Sequence, residues 1–238
     1  MGEGAAAALE PWVKEWALDE VFAGVSGQGA EDAAYAAAVL MEKSKLKGEH
    51  VTGGAADIYK CFDQVMRPLI YLLLEEAGMP KSLIEAYKNF QENLLCHNTL
   101  AGSIGKAYKK VASIPQGDPF SMMVVSLLLR PWILQMRMCA VYPRVLADDL
   151  QLISTGNKHL EHFEFAFNKT HEHLFDMGAR LAPNKSVIFS IEKSASNYLR
   201  MHKWRRLGRT LKVITDCRDL GAHLTVSTCR KLGTTLTG

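Results

Sequence analysis

The stretch Val145-Leu146-Ala147-Asp148-Asp149-Leu150 sets two adjacent carboxylates between apolar runs. Apolar residues on both sides read as two strands over 141–154, with the acidic pair at the tip of the hairpin. Two carboxylates this close repel one another, and the usual compensation is a divalent cation bound through oxygen, as in phosphoryl and nucleotidyl transfer. Asp-Asp is also a common turn dipeptide, so the pair alone does not decide.

The segments around it carry further signals. Upstream, Ala56-Asp57-Ile58-Tyr59-Lys60-Cys61-Phe62-Asp63 places a third aspartate at the end of a short non-helical stretch, five residues before an aromatic. Between the two acidic sites, Ile114-Pro115-Gln116-Gly117-Asp118-Pro119-Phe120-Ser121 reads as a loop running into an apolar helix, with Asp118 as cap, Pro119 as opener and Pro131 as kink or end. Downstream come Gly178-Ala179-Arg180-Leu181-Ala182-Pro183-Asn184-Lys185 and Leu220-Gly221, and near the start Gln28-Gly29-Ala30-Glu31-Asp32-Ala33 leads into an Ala-rich helix over 31–47.

Taken in this order, the motifs resemble those of the reverse transcriptases, particularly those of non-LTR retrotransposons and group II introns. The resemblance covers residues 25–225. It implies an α+β fold, the palm of a right-hand polymerase, with a split βαβ sheet, helices on one face and partial fingers. It also implies RNA-templated DNA synthesis from deoxynucleoside triphosphates on a DNA primer, with Mg²⁺ or Mn²⁺ as cofactor. By resemblance Asp57, Asp148 and Asp149 are catalytic and hold the metals, with the Ile58 carbonyl as a further ligand and Lys185 on the departing pyrophosphate. Phe62 selects the deoxy sugar, and Gln116 and Gly117 lie against the nascent base pair, glycine because no side chain fits there. On the residues alone, the aspartates also read as surface or capping residues, Phe62 as core and Lys185 as a solvated surface lysine. Asp63 reads as a cap or ion-pair residue. Leu146 stands where the family prefers Tyr or Phe. A catalytically weak nucleic-acid-binding palm and an inert mobile-element remnant are the alternative functions.

The chain has 238 residues, 48% hydrophobic and 22% charged, enough to bury a sizeable core. Residues 1–24 read as a flexible segment, low in complexity through Pro11, 25–226 as the palm with partial fingers, and 227–238 as the start of a thumb or a tail. No thumb, endonuclease or RNase H segment is expected in so short a remainder. The longest uncharged run is too short to span a bilayer, so an intracellular location, nuclear or cytoplasmic, is expected without membrane partners. The 5 cysteines lack paired spacing, which argues against a zinc ribbon or a disulfide framework. Net charge is only +3, but Arg200, Lys203, Arg205, Arg206 and Arg209 cluster with Tyr198 and Trp204, a mixture that suits phosphates and stacked bases or else a solvated linker. His159, His162, His171 and His173 read as part of a charged helix face ahead of a metal site. Residues 51–58 must form the strand that carries Asp57, although Gly53-Gly54 and Ala55-Ala56 are poor strand formers.

Overall fold

The computed structural model describes residues 2–115, 117–118, 120–219 and 222–225, with 2–8, 216–219 and 222–225 as backbone alone. Strand β1 (Val51–Asp57) lies at the centre of a five-stranded sheet ordered β4-β5-β1-β6-β7. Its neighbours β5 (Asp149–Thr155) and β6 (Val187–Ser190) both run antiparallel to it, β4 (Tyr142–Leu146) forms a hairpin with β5, and β7 (Lys212–Val213) pairs parallel to β6.

Side-chain alternation divides the sheet. Gly54 and Ala56 of β1, with Leu150, Leu152 and Ile188, face helices α6 (Ser121–Met138) and α7 (His159–Asp176) and share the main core with Phe163, Phe167 and Trp132. Val51, Gly53 and Asp57 occupy the other face with Ile153, Phe189 and Asp149. Helix α2 (Ala30–Leu46) covers one end of that second face through Ala37 and Met41, packed on Val51, Ile153 and Phe189. The main helix layer thus lies on one face, and the end of β1 that carries Asp57 is on the opposite one.

The glycines that look unsuited to a strand are explained by close packing. A Cβ on Gly53 would lie 2.5 Å from Phe189 Cζ and 2.8 Å from the Leu152 carbonyl oxygen. On Gly54 it would lie 2.9 Å from the Val187 carbonyl oxygen and 3.0 Å from Phe163 Cζ. Aromatic rings press on both faces of β1, and only hydrogen fits beneath them.

The remaining elements pack at several places around the sheet and its helices. Helices α3 (Cys61–Gln64), α4 (Arg67–Glu76) and α5 (Lys81–Asn93) follow β1, and a small hairpin of β2 (Thr99–Leu100) and β3 (Ser103–Ile104) precedes the loop into α6. Helix α8 (Lys193–Met201) follows β6, and β8 (Asp216–Asp219) pairs with β9 (Ala222–Thr225).

Three local readings change. The expected flexible segment holds a helix, α1 (Gly2–Trp16), because Leu9, Trp12, Val13 and Trp16 fall at helical spacing and are all buried, with Trp12 Nε1–H donating to the Ala77 carbonyl. Pro131 neither ends α6 nor stops it short of Met138. An interior proline costs about 3 kcal/mol, but Trp132, Ile133 and Met136 beyond it are fully buried, and burying one such side chain contributes about 1.5–3 kcal/mol. Asp118 is not the α6 cap: the helix starts at Ser121, and the Asp118 carboxylate accepts instead from the Phe120 N–H, Tyr87 Oη and Gln91 Nε2. The Leu220-Gly221 motif lies outside the described residues.

Candidate active site

The β4–β5 hairpin turns through Ala147 and Asp148, and its register puts Leu146 opposite Asp149. Ala147 has φ 56°, the left-handed region that a two-residue hairpin requires and a non-glycine residue adopts at some cost. On the other side of β5, Asp149 is the register partner of Asp57. Directly paired strand residues project from the same face, so Asp57 and Asp149, from distant segments, stand on one face at the end of the sheet, with Asp148 next to Asp149 in the turn. Like charges in direct cross-strand register are destabilising, and an all-oxygen donor set of this kind suits a hard divalent cation such as Mg²⁺.

The charge of Asp57 also reaches Asp148 in the turn. Burial raises the Asp148 carboxyl above its ordinary value, the Asp148 backbone N–H opposes this, and the Asp57 charge raises it further while Lys185 lowers it. Beneath them Cys61, 4% exposed at the start of α3, has its thiol pushed up to about 12, first by burial and then by the charges of Asp148 and Asp57. Sequence reading gave Cys61 no position next to the site, because nothing in its spacing distinguishes it from any buried small residue.

Lys185 comes to the site through a turn. Its N–H closes Ala182-Pro183-Asn184-Lys185 by donating to the Ala182 carbonyl at 3.1 Å, and its Nζ then lies 3.2 Å from Asp57 Oδ2. The lysine side chain is 72% exposed and that of Asp57 18%, so the ammonium covers the carboxylate from solvent. Bonds from Ala182 N–H to the Asp57 carbonyl and from Tyr59 N–H to the Arg180 carbonyl join the end of β1 to this segment. Backbone groups alternate sides along an extended chain, so the Ile58 carbonyl between them points the other way, toward β5 and the acidic hairpin.

Phe62 sits next to Cys61 on α3, half-buried against the main core. The loop before α6 docks on this same segment: Ile114 N–H donates to the Phe62 carbonyl at 2.8 Å and Ser113 N–H to the Val65 carbonyl at 3.0 Å. Buried Arg67 holds the loop by donating to the Ser113 and Gln91 carbonyls. Tyr87 donates to Asp118 at 2.7 Å, and burial followed by the Asp118 charge raises its phenol. Gly117 has φ 88°, a conformation that favours glycine, and within the chain a Cβ there would meet nothing within 4 Å. Gln116 lies outside the described residues. Leu146, on the Asp149 side of the hairpin, packs on Phe22 and Ala33. Asp63 pairs with Lys110 at 3.2 Å in an exposed ion pair.

The basic cluster does not form one surface. Arg209 donates to Asn184 Oδ1 at 3.1 Å, adjacent in sequence to Lys185, and so faces the carboxylate side. Arg205 and Arg206 lie on the outer side of α7 beside Phe165, Lys169 and Glu172, with the Arg206 guanidinium 4.5 Å above the Phe175 ring. Arg200 donates to Asn197 on its own helix, and Lys203 is exposed. Trp204, expected to stack on bases, is fully buried among Phe163, Phe167 and His171, and only Tyr198 of the two aromatics is exposed. Of the α7 histidines, His159 and His171 are not on a charged face, being 3% and 5% exposed, whereas His162 and His173 are half-buried.

A sequence model described as reverse transcriptase (RNA-dependent DNA polymerase) matches residues 12–236. No curated protein matches the chain. Among solved structures, apo telomerase from Candida tropicalis truncated from its C-terminal domain is similar with a TM-score of 0.60 at 13% identity, covering 79% of this chain and 40% of that one. Telomerase from Candida albicans in complex with a TWJ fragment of telomeric RNA gives 0.61 at 12% identity, over 78% of this chain and 34% of that one. At such identities the likeness is one of fold, and the chain spans well under half of either telomerase. Among the described residues no helix is long and apolar enough to cross a membrane.

Proposed function

Because the chain belongs to the reverse transcriptase family across residues 12–236, we propose that it copies RNA into DNA, extending a DNA primer with deoxynucleoside triphosphates inside the cell. The observation that carries this reading is the register of Asp57 with Asp149 at the end of β1, with Asp148 in the adjoining turn and Lys185 on Asp57. Asp57, Asp148, Asp149 and the Ile58 carbonyl would hold Mg²⁺, or Mn²⁺ in its place. Two such ions, when bound, lower the cost of charge developing on the attacking 3′-oxygen and the departing pyrophosphate oxygen.

The chain's own residues do the rest. Asp57 and Asp149 orient from paired strands, so their separation is fixed by backbone hydrogen bonds and not by loop motion. Lys185, exposed and 3.2 Å from Asp57 Oδ2, is placed to meet the negative charge of the leaving pyrophosphate. Phe62, braced by the core and by the loop at Ile114, offers its ring to the sugar, where a 2′-hydroxyl would collide. Gly117 and Gln116 present the backbone and an amide to the nascent pair, and Arg209 contributes phosphate contact on the same side. Arg200, Lys203, Arg205 and Arg206 add non-specific attraction at longer range. By its Gln116-Gly117-Asp118-Pro119-Phe120-Ser121 loop and the order of its motifs, we assign the chain to the non-LTR retrotransposon and group II intron type.

Primer extension on an RNA template with Mg²⁺ tests the proposal. The expected result is template-dependent incorporation of deoxynucleotides that EDTA abolishes. Binding of primer–template without extension would favour a nucleic-acid-binding palm in its place.

A further inference from the structure

At the end of β1 opposite the aspartates, His50, His159 and Glu192 come together, each offering one ligand atom and all three atoms within 4.8 Å of one another. They arrive from separate elements: His50 precedes β1, His159 is the first residue of α7, and Glu192 is the residue before α8. Seven steps of extended chain take His50 to Asp57, a span of about 23 Å, so this cluster is not part of the carboxylate site.

We propose that His50, His159 and Glu192 bind a zinc-class divalent metal ion that ties together the starts of β1, α7 and α8. His159 Nε2 lies 3.3 Å from Glu192 Oε2. Two ligands on a tetrahedral Zn²⁺ with bonds of 2.0–2.1 Å stand about 3.3 Å apart, so this pair already has the edge length of a zinc tetrahedron. The other nitrogen of His159 is held from behind. Its Nδ1 lies 2.7 Å from Oγ1 of fully buried Thr52, which donates to Ser190 Oγ at 2.9 Å, and Ser190 Oγ donates to the Val51 carbonyl at 2.9 Å. With the hydroxyl protons directed that way, Nδ1 carries the hydrogen and Nε2 presents its lone pair toward Glu192 and His50, the tautomer a metal needs. Glu192 is supported likewise, its Oε1 accepting from Ser194 Oγ while Oε2 faces the histidine. The His50 ring centroid is 5.3 Å from that of His159, and the ring is exposed, so it can close on the ion from the solvent side.

Two imidazoles and one carboxylate favour Zn²⁺ over Mg²⁺, whose preference is for oxygen alone, and they leave a fourth position for water. The ion would clip α7 to the sheet at the end remote from catalysis.

The test uses the 238-residue chain stripped with EDTA and then titrated with Zn²⁺ against a chromophoric chelator, with Mg²⁺ in excess to occupy oxygen-donor sites. The expected result is one Zn²⁺ per chain, a raised Tm, and an X-ray absorption spectrum showing nitrogen and oxygen neighbours with imidazole scattering. Thr52→Val should weaken binding by about 10–100-fold through loss of the supporting hydrogen bond, and the surface variants His50→Gln and Glu192→Gln should weaken it further. The proposal is overturned by absence of stoichiometric binding, by His50→Gln and Glu192→Gln binding as the parent chain does, or by sulfur neighbours that would assign the metal to cysteine.

Discussion

Replacing Gly53 by Ala tests how the sheet positions the site. The added Cβ would stand 2.5 Å from Phe189 Cζ and 2.8 Å from the Leu152 carbonyl oxygen. A relaxed carbon–carbon contact is about 3.5–4.0 Å, so the Phe189 ring must retreat by about 1 Å within a core where it is 2% exposed. The Leu152 oxygen belongs to β5 and moves only with the strand that begins at Asp149. Overpacking of this kind costs about 1–3 kcal/mol, offset by about 0.5–1 kcal/mol because alanine has less backbone freedom to lose than glycine. The mid-range net destabilisation of about 1 kcal/mol should lower Tm by about 2–4 °C in a chain of this size, read by thermal unfolding in circular dichroism. Shortening the opposing ring relieves the clash, so Gly53→Ala with Phe189→Leu should be more stable than the two single effects summed, with a coupling of about 0.5–3 kcal/mol. A Gly53→Ala chain as stable as the parent, or a double variant with purely additive losses, would refute the close packing on which this account of β1 rests.

Three further outcomes are expected. His171 is buried, both ring nitrogens lack a hydrogen-bond partner among the described residues, and burial followed by the Arg206 charge holds its pKa down at about 4 against an ordinary 6.5. The folded chain therefore binds this proton less readily than the unfolded one, so the stability it confers is present above about pH 6.5 and is lost as pH falls toward 4, by up to about 3 kcal/mol; urea unfolding at pH 7 and pH 5 should show the slope, and His171→Phe should flatten it. Phe62→Val should raise ribonucleotide incorporation by about 10–200-fold in the ratio of kcat/KM values while keeping deoxynucleotide addition, and unchanged discrimination in an active enzyme would make Phe62 a core residue only. Arg209→Ala should weaken primer–template binding and reduce the salt slope by about 1, whereas Arg205→Ala with Arg206→Ala, on the outer side of α7, should alter binding less than Arg209→Ala does.

The parts of the site that were legible in sequence are those whose chemistry is local. Asp148 and Asp149 advertise themselves as adjacent charges between apolar strands, and Asp57 and Lys185 through short motifs in a fixed order, which the structure joins at one end of β1. Relations between distant segments were harder to read. Gly53 and Gly54 argue against a strand until Phe189 and Phe163 are known to press on them, and Trp204 among arginines resembles a stacking platform until it is found inside the core. The stripe of Leu9, Trp12, Val13 and Trp16 was visible but masked by the alanine run before it. His50, His159 and Glu192 carry no motif, since their proximity comes from the antiparallel pairing of β1 with β6 and the return of α7 alongside.

The central claim is that the carboxylates gathered by β1 and the β4–β5 hairpin catalyse nucleotide addition. The most direct measurement is single-turnover primer extension on an RNA template with Mg²⁺, comparing the parent chain with Asp148→Asn and measuring primer–template affinity for both. Asparagine keeps the shape and removes one charge from the metal-binding set, and several kcal/mol of lost charge stabilisation corresponds to about a thousandfold or more in rate. The account predicts that loss with affinity kept or slightly raised, because a negative charge facing phosphate is gone. Extension by Asp148→Asn at the parent rate would contradict it.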